Sequence, residues 1–207
     1  MSRVIIAITS ELALLFITVS LLLPGSLPQP SLAQHPPTAA NTTTSATTNT
    51  NFQTYSNTSF GIKVKYPSNW LMLQLSRSNS SVPVVEFKPP QQPGKVPIFL
   101  LLTKNVNFVK NVKDLTLASI ISTREKQFTN AGNILHLVSS TPATLAGNPA
   151  HKIEFTQLTP QGKYELMQLI SLVGKTGYFI TYGAPIANYS TFLPTAQKII
   201  DSALITK

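Results

Sequence analysis

Residues 164–173, Tyr-Glu-Leu-Met-Gln-Leu-Ile-Ser-Leu-Val, constrain this chain more than any other segment. In a strand, alternate residues face opposite sides, and here both sets are apolar: Leu166, Ile170 and Leu172 on one, Met167, Leu169 and Val173 on the other. A strand with two apolar faces is covered on both, so packed layers must lie above and below its sheet. Ile98-Phe99-Leu100-Leu101-Leu102 is apolar at every position and reads as a second central strand. The chain has no cysteine, which removes a disulfide framework, a thiolate metal site and a lipid-modified cysteine together. The core alone must hold the fold, and the stretch of about 155 residues from Phe52 onward is long enough to bury one.

The remaining elements supply those layers. Residues 62–66 alternate apolar and charged and stop at Pro67-Ser68-Asn69; residues 70–75 and 84–87 read as strands, the latter ended by Pro89-Pro90, with a turn at Gln91-Gln92-Pro93-Gly94. Asp114 is the expected cap of a helix with Leu117, Ile120, Ile121, Arg124 and Phe128 on one side and an end at residues 129–132. Strands follow at 134–138 and 152–156, separated by a turn over 144–149. Gly162 and the Gly174–Gly177 turn then lead into strands 164–173 and 178–182, completing an antiparallel meander. A last helix, capped by Ser190 or Thr191 with Pro194 in its first turn, carries Phe192, Ala196, Ile199, Ile200 and Ala203 as its apolar stripe. The expected class is α+β, an α-β-α sandwich with a central antiparallel sheet flanked by helices.

The first 33 residues read as a secretory signal: Arg3, an apolar run over 12–23, the breaker pair Pro24-Gly25, and small residues at Ser31 and Ala33 that place cleavage before Gln34. The alternative is a retained anchor over residues 4–23, about the roughly 20 apolar residues a spanning helix needs. Glu11 opposes it, because a carboxylate near the middle of a spanning helix costs about 3 kcal/mol. Either way residues 52–207 form a domain that faces out of the cytoplasm, secreted or pseudoperiplasmic. Residues 34–51 are Pro, Thr, Asn and Ala with almost no large apolar side chain, a disordered linker. Acceptor tripeptides for N-glycosylation begin at Asn41, Asn57, Asn79 and Asn188.

The formal charge is +9, and losing Arg3 and Glu11 with the signal leaves it unchanged. The lysines are scattered, a diffuse positive surface that serves solubility or draws the chain to a membrane-associated protein complex or an anionic envelope surface. Membrane contact is then peripheral, or runs through the uncleaved N-terminal helix. Nucleic acid is not an expected partner, since export and the lack of a basic cluster both argue against it.

Chemistry-bearing residues are few. His136, His151 and Glu154 are the candidate metal donors, for a divalent ion such as calcium or copper, if adjacent strands bring them together; no histidine pair at short spacing seeds such a site. Asp114 suits a cap, Glu125 and Asp201 fall on helices, and Glu86 and Glu154 alternate with apolar neighbours as outward strand residues. No carboxylate pair is set for acid–base work, and no Gly-x-Ser-x-Gly elbow occurs. The expectation is a protein that is not an enzyme and needs no cofactor.

Residues 55–70, Tyr-Ser-Asn-Thr-Ser-Phe-Gly-Ile-Lys-Val-Lys-Tyr-Pro-Ser-Asn-Trp, together with Leu145-Ala146-Gly147-Asn148-Pro149-Ala150-His151-Lys152-Ile153 and Gly174-Lys175-Thr176-Gly177-Tyr178-Phe179-Ile180-Thr181-Tyr182, resemble the PsbP-like family. The resemblance spans about residues 52–204. It implies the α-β-α sandwich and an extracytoplasmic accessory role, as in the photosystem II extrinsic subunits that help retain calcium and chloride. It also points to a non-photosynthetic archaeal member. The matched residues belong to the fold: Gly61 and Gly147 suit turns, and Trp70 suits core packing. The basic N-terminal arm of the photosynthetic subunits has no counterpart in residues 34–51, which contain neither lysine nor arginine. The sequence therefore points to an exported accessory or binding domain, the alternative being an extracytoplasmic protein that binds a small ligand or a metal ion.

Overall fold

The computed structural model describes residues 51–75, 84–90, 98–105 and 115–206. The signal and linker, Asp114 and the Gln91–Gly94 turn lie outside them. Ten strands and two helices follow in the order β1 (Phe52–Asn57), β2 (Ile62–Pro67), β3 (Leu71–Leu75), β4 (Val84–Lys88), β5 (Phe99–Asn105), α1 (Leu117–Asn130), β6 (Leu135–Leu145), β7 (Asn148–Thr159), β8 (Gly162–Val173), β9 (Thr176–Pro185), α2 (Ile186–Asp201) and β10 (Leu204–Ile205). They form a seven-stranded sheet, β3-β4-β5-β9-β8-β7-β6, and a three-stranded sheet, β1-β2-β10, antiparallel at every pairing. The class is α+β, as expected.

The doubly apolar strands sit inside the large sheet. On β8, Met167 and Leu169 pair with Tyr182 and Ile180 on β9, which in turn pair with Leu100 and Leu102 on β5. This face joins one buried cluster with Tyr189, Ala196, Ile199 and Ile200 of α2 and with Tyr55, Ile62, Val64 and Tyr66 of the small sheet. The other set on β8 is Leu166, Gln168 and Ile170, also buried. Helix α1 packs against β6, β7 and β8, and its Phe128 ring stands 5.0 Å from Phe155 of β7. Each large side chain so buried contributes about 1.5–3 kcal/mol of transfer free energy. The polar member, Gln168, donates from Nε2 to Thr181 Oγ1 at 2.9 Å, so its burial leaves that amide partnered.

Four local expectations change. Helix α1 is capped by Thr116: its Oγ1 accepts from the Ser119 amide at 3.1 Å, while Ser119 Oγ accepts from the Thr116 amide at 3.1 Å. This reciprocal box satisfies two backbone donors and starts the helix at Leu117, too late for Asp114 to cap it. Helix α2 begins at Ile186, directly after β9, so Ser190 and Thr191 lie within it and Pro194 is interior. The Tyr182 hydroxyl donates to the Tyr189 carbonyl at 2.7 Å and fastens the first turns without a side-chain cap. The turn expected over 144–149 is a hairpin closed by Ala146 and Gly147 alone, with φ of 50° and 74°, so Leu145 and Asn148 are already paired. Finally, Glu86, expected to point outward, is 9% exposed and paired with Lys88 at 3.0 Å.

Gly61 and Gly147 both take positive φ, as the turn reading requires. At Gly61 a side chain would also collide with the Thr206 carbonyl, whose own amide donates to the Gly61 carbonyl at 2.9 Å. Trp70 is buried in the cluster with Phe192 6.4 Å away, a packing role.

Candidate functional site

Strand β6 forms one edge of the large sheet and carries a bulge: Leu137 pairs with Phe155 and Ser139 with Glu154, leaving Val138 as the extra residue. The bulge shifts the alternation by one, so that Ser139 and Ser140 serve opposite faces. Ser140 reaches α1, donating from Oγ to Glu125 Oε1 at 2.6 Å, with His151 Nε2 at 2.8 Å on its other side. A serine hydroxyl has one proton. With that proton on the carboxylate, Ser140 accepts from the His151 Nε2–H, and the chain runs histidine to serine to glutamate. In a nucleophilic triad the acid holds the histidine and the histidine takes the serine proton. The order here is inverted, and the group acts as a strap between α1 and the sheet edge.

Beside this strap a cleft of about 630 Å³ opens between α1 and the start of β6, lined by Ser122, Glu125, Lys126, Phe128, Thr129, Gly132, Leu135, His136 and Leu137. Under it Arg124, 3% exposed, lies 5.1 Å from the Phe128 ring and 5.3 Å from the Phe155 ring, and donates to Gln127 Oε1 at 2.8 Å. Burial lowers the guanidinium to about 10.

On the opposite face Glu154 accepts from Ser139 Oγ and from Lys152 Nζ, the latter at 3.1 Å. Burial pushes its carboxyl up, but these two bonds and the lysine charge together hold it below the ordinary range. Glu165 goes the other way, raised by burial and then by Glu154. The phenols of Tyr182 and Tyr189, rings 5.0 Å apart, are raised chiefly by burial, with Glu165 adding to both. The Tyr189 hydroxyl is buried with no hydrogen-bond partner among the described residues.

The three candidate metal donors are therefore divided. His136 pairs with Thr156 and so shares a face with Glu154, whereas His151 bonds Ser140 on the α1 side. No group of three or more His, Cys, Asp or Glu side chains converges among the described residues. Asn57 ends β1 and Asn188 lies in the first turn of α2, while Asn41, Asn79, Ala33 and Gln34 lie outside the described residues. Sequence reasoning missed Ser139, Ser140 and Tyr189, which carry no motif and meet their partners only through the bulge and the β9–α2 junction. No described helix is long and apolar enough to cross a membrane.

Two antiparallel sheets with one helix on the meander and a second following its last strand define a small α+β domain. The family model for PsbP-like proteins matches residues 30–204, and the chain belongs to that family. Among solved structures it is similar to the cyanobacterial PsbP, CyanoP, of Synechocystis sp. PCC 6803, with a TM-score of 0.56 and 13% identity over 79% of this chain and 97% of that one. It is similar to PA94, a protein of unknown function from Pseudomonas aeruginosa, with a TM-score of 0.52 and 12% identity over 75% and 97%. LpqN of Mycobacterium tuberculosis, involved in cell envelope biogenesis, gives 0.52 and 17% over 70% and 83%. At these identities the likeness is one of fold. All three come from bacteria and do not carry the expectation of an archaeal source. A search of curated proteins finds no match.

Proposed function

We propose that this protein is an exported, non-catalytic accessory domain that docks on a membrane-associated protein complex or an anionic envelope surface by shape and positive charge. The observation that carries this reading is uncompensated charge. Against a formal +9, only Lys88–Glu86 and Lys152–Glu154 form ion pairs among the described residues. The inverted histidine–serine–glutamate chain supports the absence of catalysis. The two helices, one against the meander and one against β9 and β2, support the α-β-α sandwich as the working description of the layers. The envelope role of LpqN and the PsbP-like family are consistent with a site outside the cytoplasm. Cleavage before Gln34, and glycan attachment at Asn41, Asn57, Asn79 or Asn188, belong to the same reading and are read by mass spectrometry of the exported protein. Pull-down from host membranes tests the docking: a partner retained at low salt and shed at high salt is expected, and no retention at low salt contradicts it.

The cleft favours a second reading, a binding protein for a small ligand. At about 630 Å³ it falls within the ordinary range of ligand sites, though broadly open to solvent, and Lys126 supplies a cationic group among its lining residues. Calorimetry with small anions and with calcium, copper, zinc and manganese, repeated on His136→Ala and His151→Ala, separates the ligand classes. No heat with any of them overturns this reading.

A further inference from the structure

The three-stranded sheet has one face in the core and one in solvent. Tyr55 on β1 and Ile62, Val64 and Tyr66 on β2 point inward and are buried. The register puts the alternate residues together on the outer face: Phe52 opposite Pro67, which is itself buried, Thr54 opposite Lys65, and Ser56 and Leu204 on either side of Lys63. Lys63 and Lys65 are two residues apart on one strand, so they emerge from the same side about 7 Å apart. Neither forms an ion pair among the described residues, and no carboxylate lies on this face. Asp201, at the end of α2, accepts from Gln197 Nε2 at 2.7 Å. Phe52 and Leu204 stand exposed at opposite corners of the pair, at 37% and 56%.

We infer that this outer face docks on an anionic lipid bilayer, Lys63 and Lys65 meeting lipid phosphates while Phe52 and Leu204 enter the interface between headgroups and acyl chains. The inference rests on the docking reading above and assigns it a face and a lipid. The chemistry favours a bilayer because cations and apolar groups share one flat surface. A lysine can lay its stem along apolar material and hold its ammonium at headgroup level. Exposed apolar side chains contribute by burial, and each lysine near an anionic leaflet contributes about fivefold in partitioning. Ser202, whose Oγ accepts from the Lys65 amide at 2.7 Å and donates to the Ile199 carbonyl at 2.7 Å, continues the seam that β10 makes with β2 and ties the strand bearing both lysines to the end of α2.

The test is co-sedimentation of the exported protein with vesicles of phosphatidylcholine alone and of phosphatidylcholine mixed with phosphatidylglycerol, reading only the part of binding that depends on phosphatidylglycerol. An apolar N-terminal segment does not produce that difference. Lys63→Gln with Lys65→Gln is expected to reduce this part by about 25-fold at low salt, from about fivefold per lysine. Phe52→Ser with Leu204→Ser reduces it as well. Lys163→Gln with Lys175→Gln removes the same net charge from the β8 hairpin ends and leaves most of it. Thermal unfolding confirms that each variant is folded. Equal losses in the two lysine pairs, or no dependence on phosphatidylglycerol, overturn the inference. If phosphatidylglycerol has no effect but native membranes still retain the protein until their proteins are digested, the partner is a protein and the broader docking reading stands. If native membranes retain nothing, both fall.

Discussion

Two tyrosines stacked on the same turn are expected to respond oppositely to the same substitution. The Tyr182 hydroxyl donates to the Tyr189 carbonyl, so Tyr182→Phe removes a made bond, a loss of about 1 kcal/mol. The Tyr189 hydroxyl is buried without a partner among the described residues, so Tyr189→Phe removes an unsatisfied group and is expected to raise stability by about 1 kcal/mol. Urea unfolding of the two variants measures both, and equal losses contradict the assignment. The phenols also set an alkaline limit. Both are raised in the folded state, so their contribution is intact below the unfolded tyrosine value of about 10 and is lost as pH climbs toward the folded values. Arg124 has the reverse sign: burial holds its folded value, about 10, below that of the unfolded chain, so the penalty of burying its charge eases as pH rises above it. Replacing both tyrosines by phenylalanine is expected to flatten the alkaline fall seen in stability–pH profiles.

At the scale of elements, the Thr116–Ser119 box and the bare β9–α2 junction show how differently the two helices are started. Thr116→Ala leaves α1 without its reciprocal cap and is expected to cost about 1 kcal/mol, seen as a lower denaturant midpoint at unchanged slope. On β9, Gly183 lies opposite Phe99, whose ring occupies the space a methyl would need. Gly183→Ala is therefore expected to cost about 1–3 kcal/mol by overpacking, and a neutral result would mean the ring moves freely. The meander and its doubly buried strand were legible because apolar residues in both alternating sets admit few other arrangements. The second sheet was not legible: β1 is mostly polar on its outer face, and β10 is two residues long and gains meaning only beside β2. The polar clusters were hidden for a sharper reason. Val138 looks like any apolar strand residue, yet as the bulge it reverses the side on which every later residue of β6 points. That reversal brings Ser140 to Glu125, while His151 and Glu154, three residues apart on β7, fall on opposite faces by alternation alone.

Across the described residues a well-buried core lies beneath a surface with two lysine–glutamate ion pairs, in a chain of formal charge +9. Such a surface contributes little to folding, since exposed ion pairs are worth about 0–1 kcal/mol, and much to attraction over distance. Residues 34–51 contain neither lysine nor arginine, so on the proposed reading the attraction rests on residues 52–207. The most direct test is the fraction of the protein retained on host membranes as ionic strength rises from about 0.05 M, where charges act beyond 10 Å, to about 1 M, where screening confines them to about 3 Å. Strong retention at the low end, falling steeply across the range, is the predicted result. Retention that is flat with salt, or absent throughout, would contradict docking by charge.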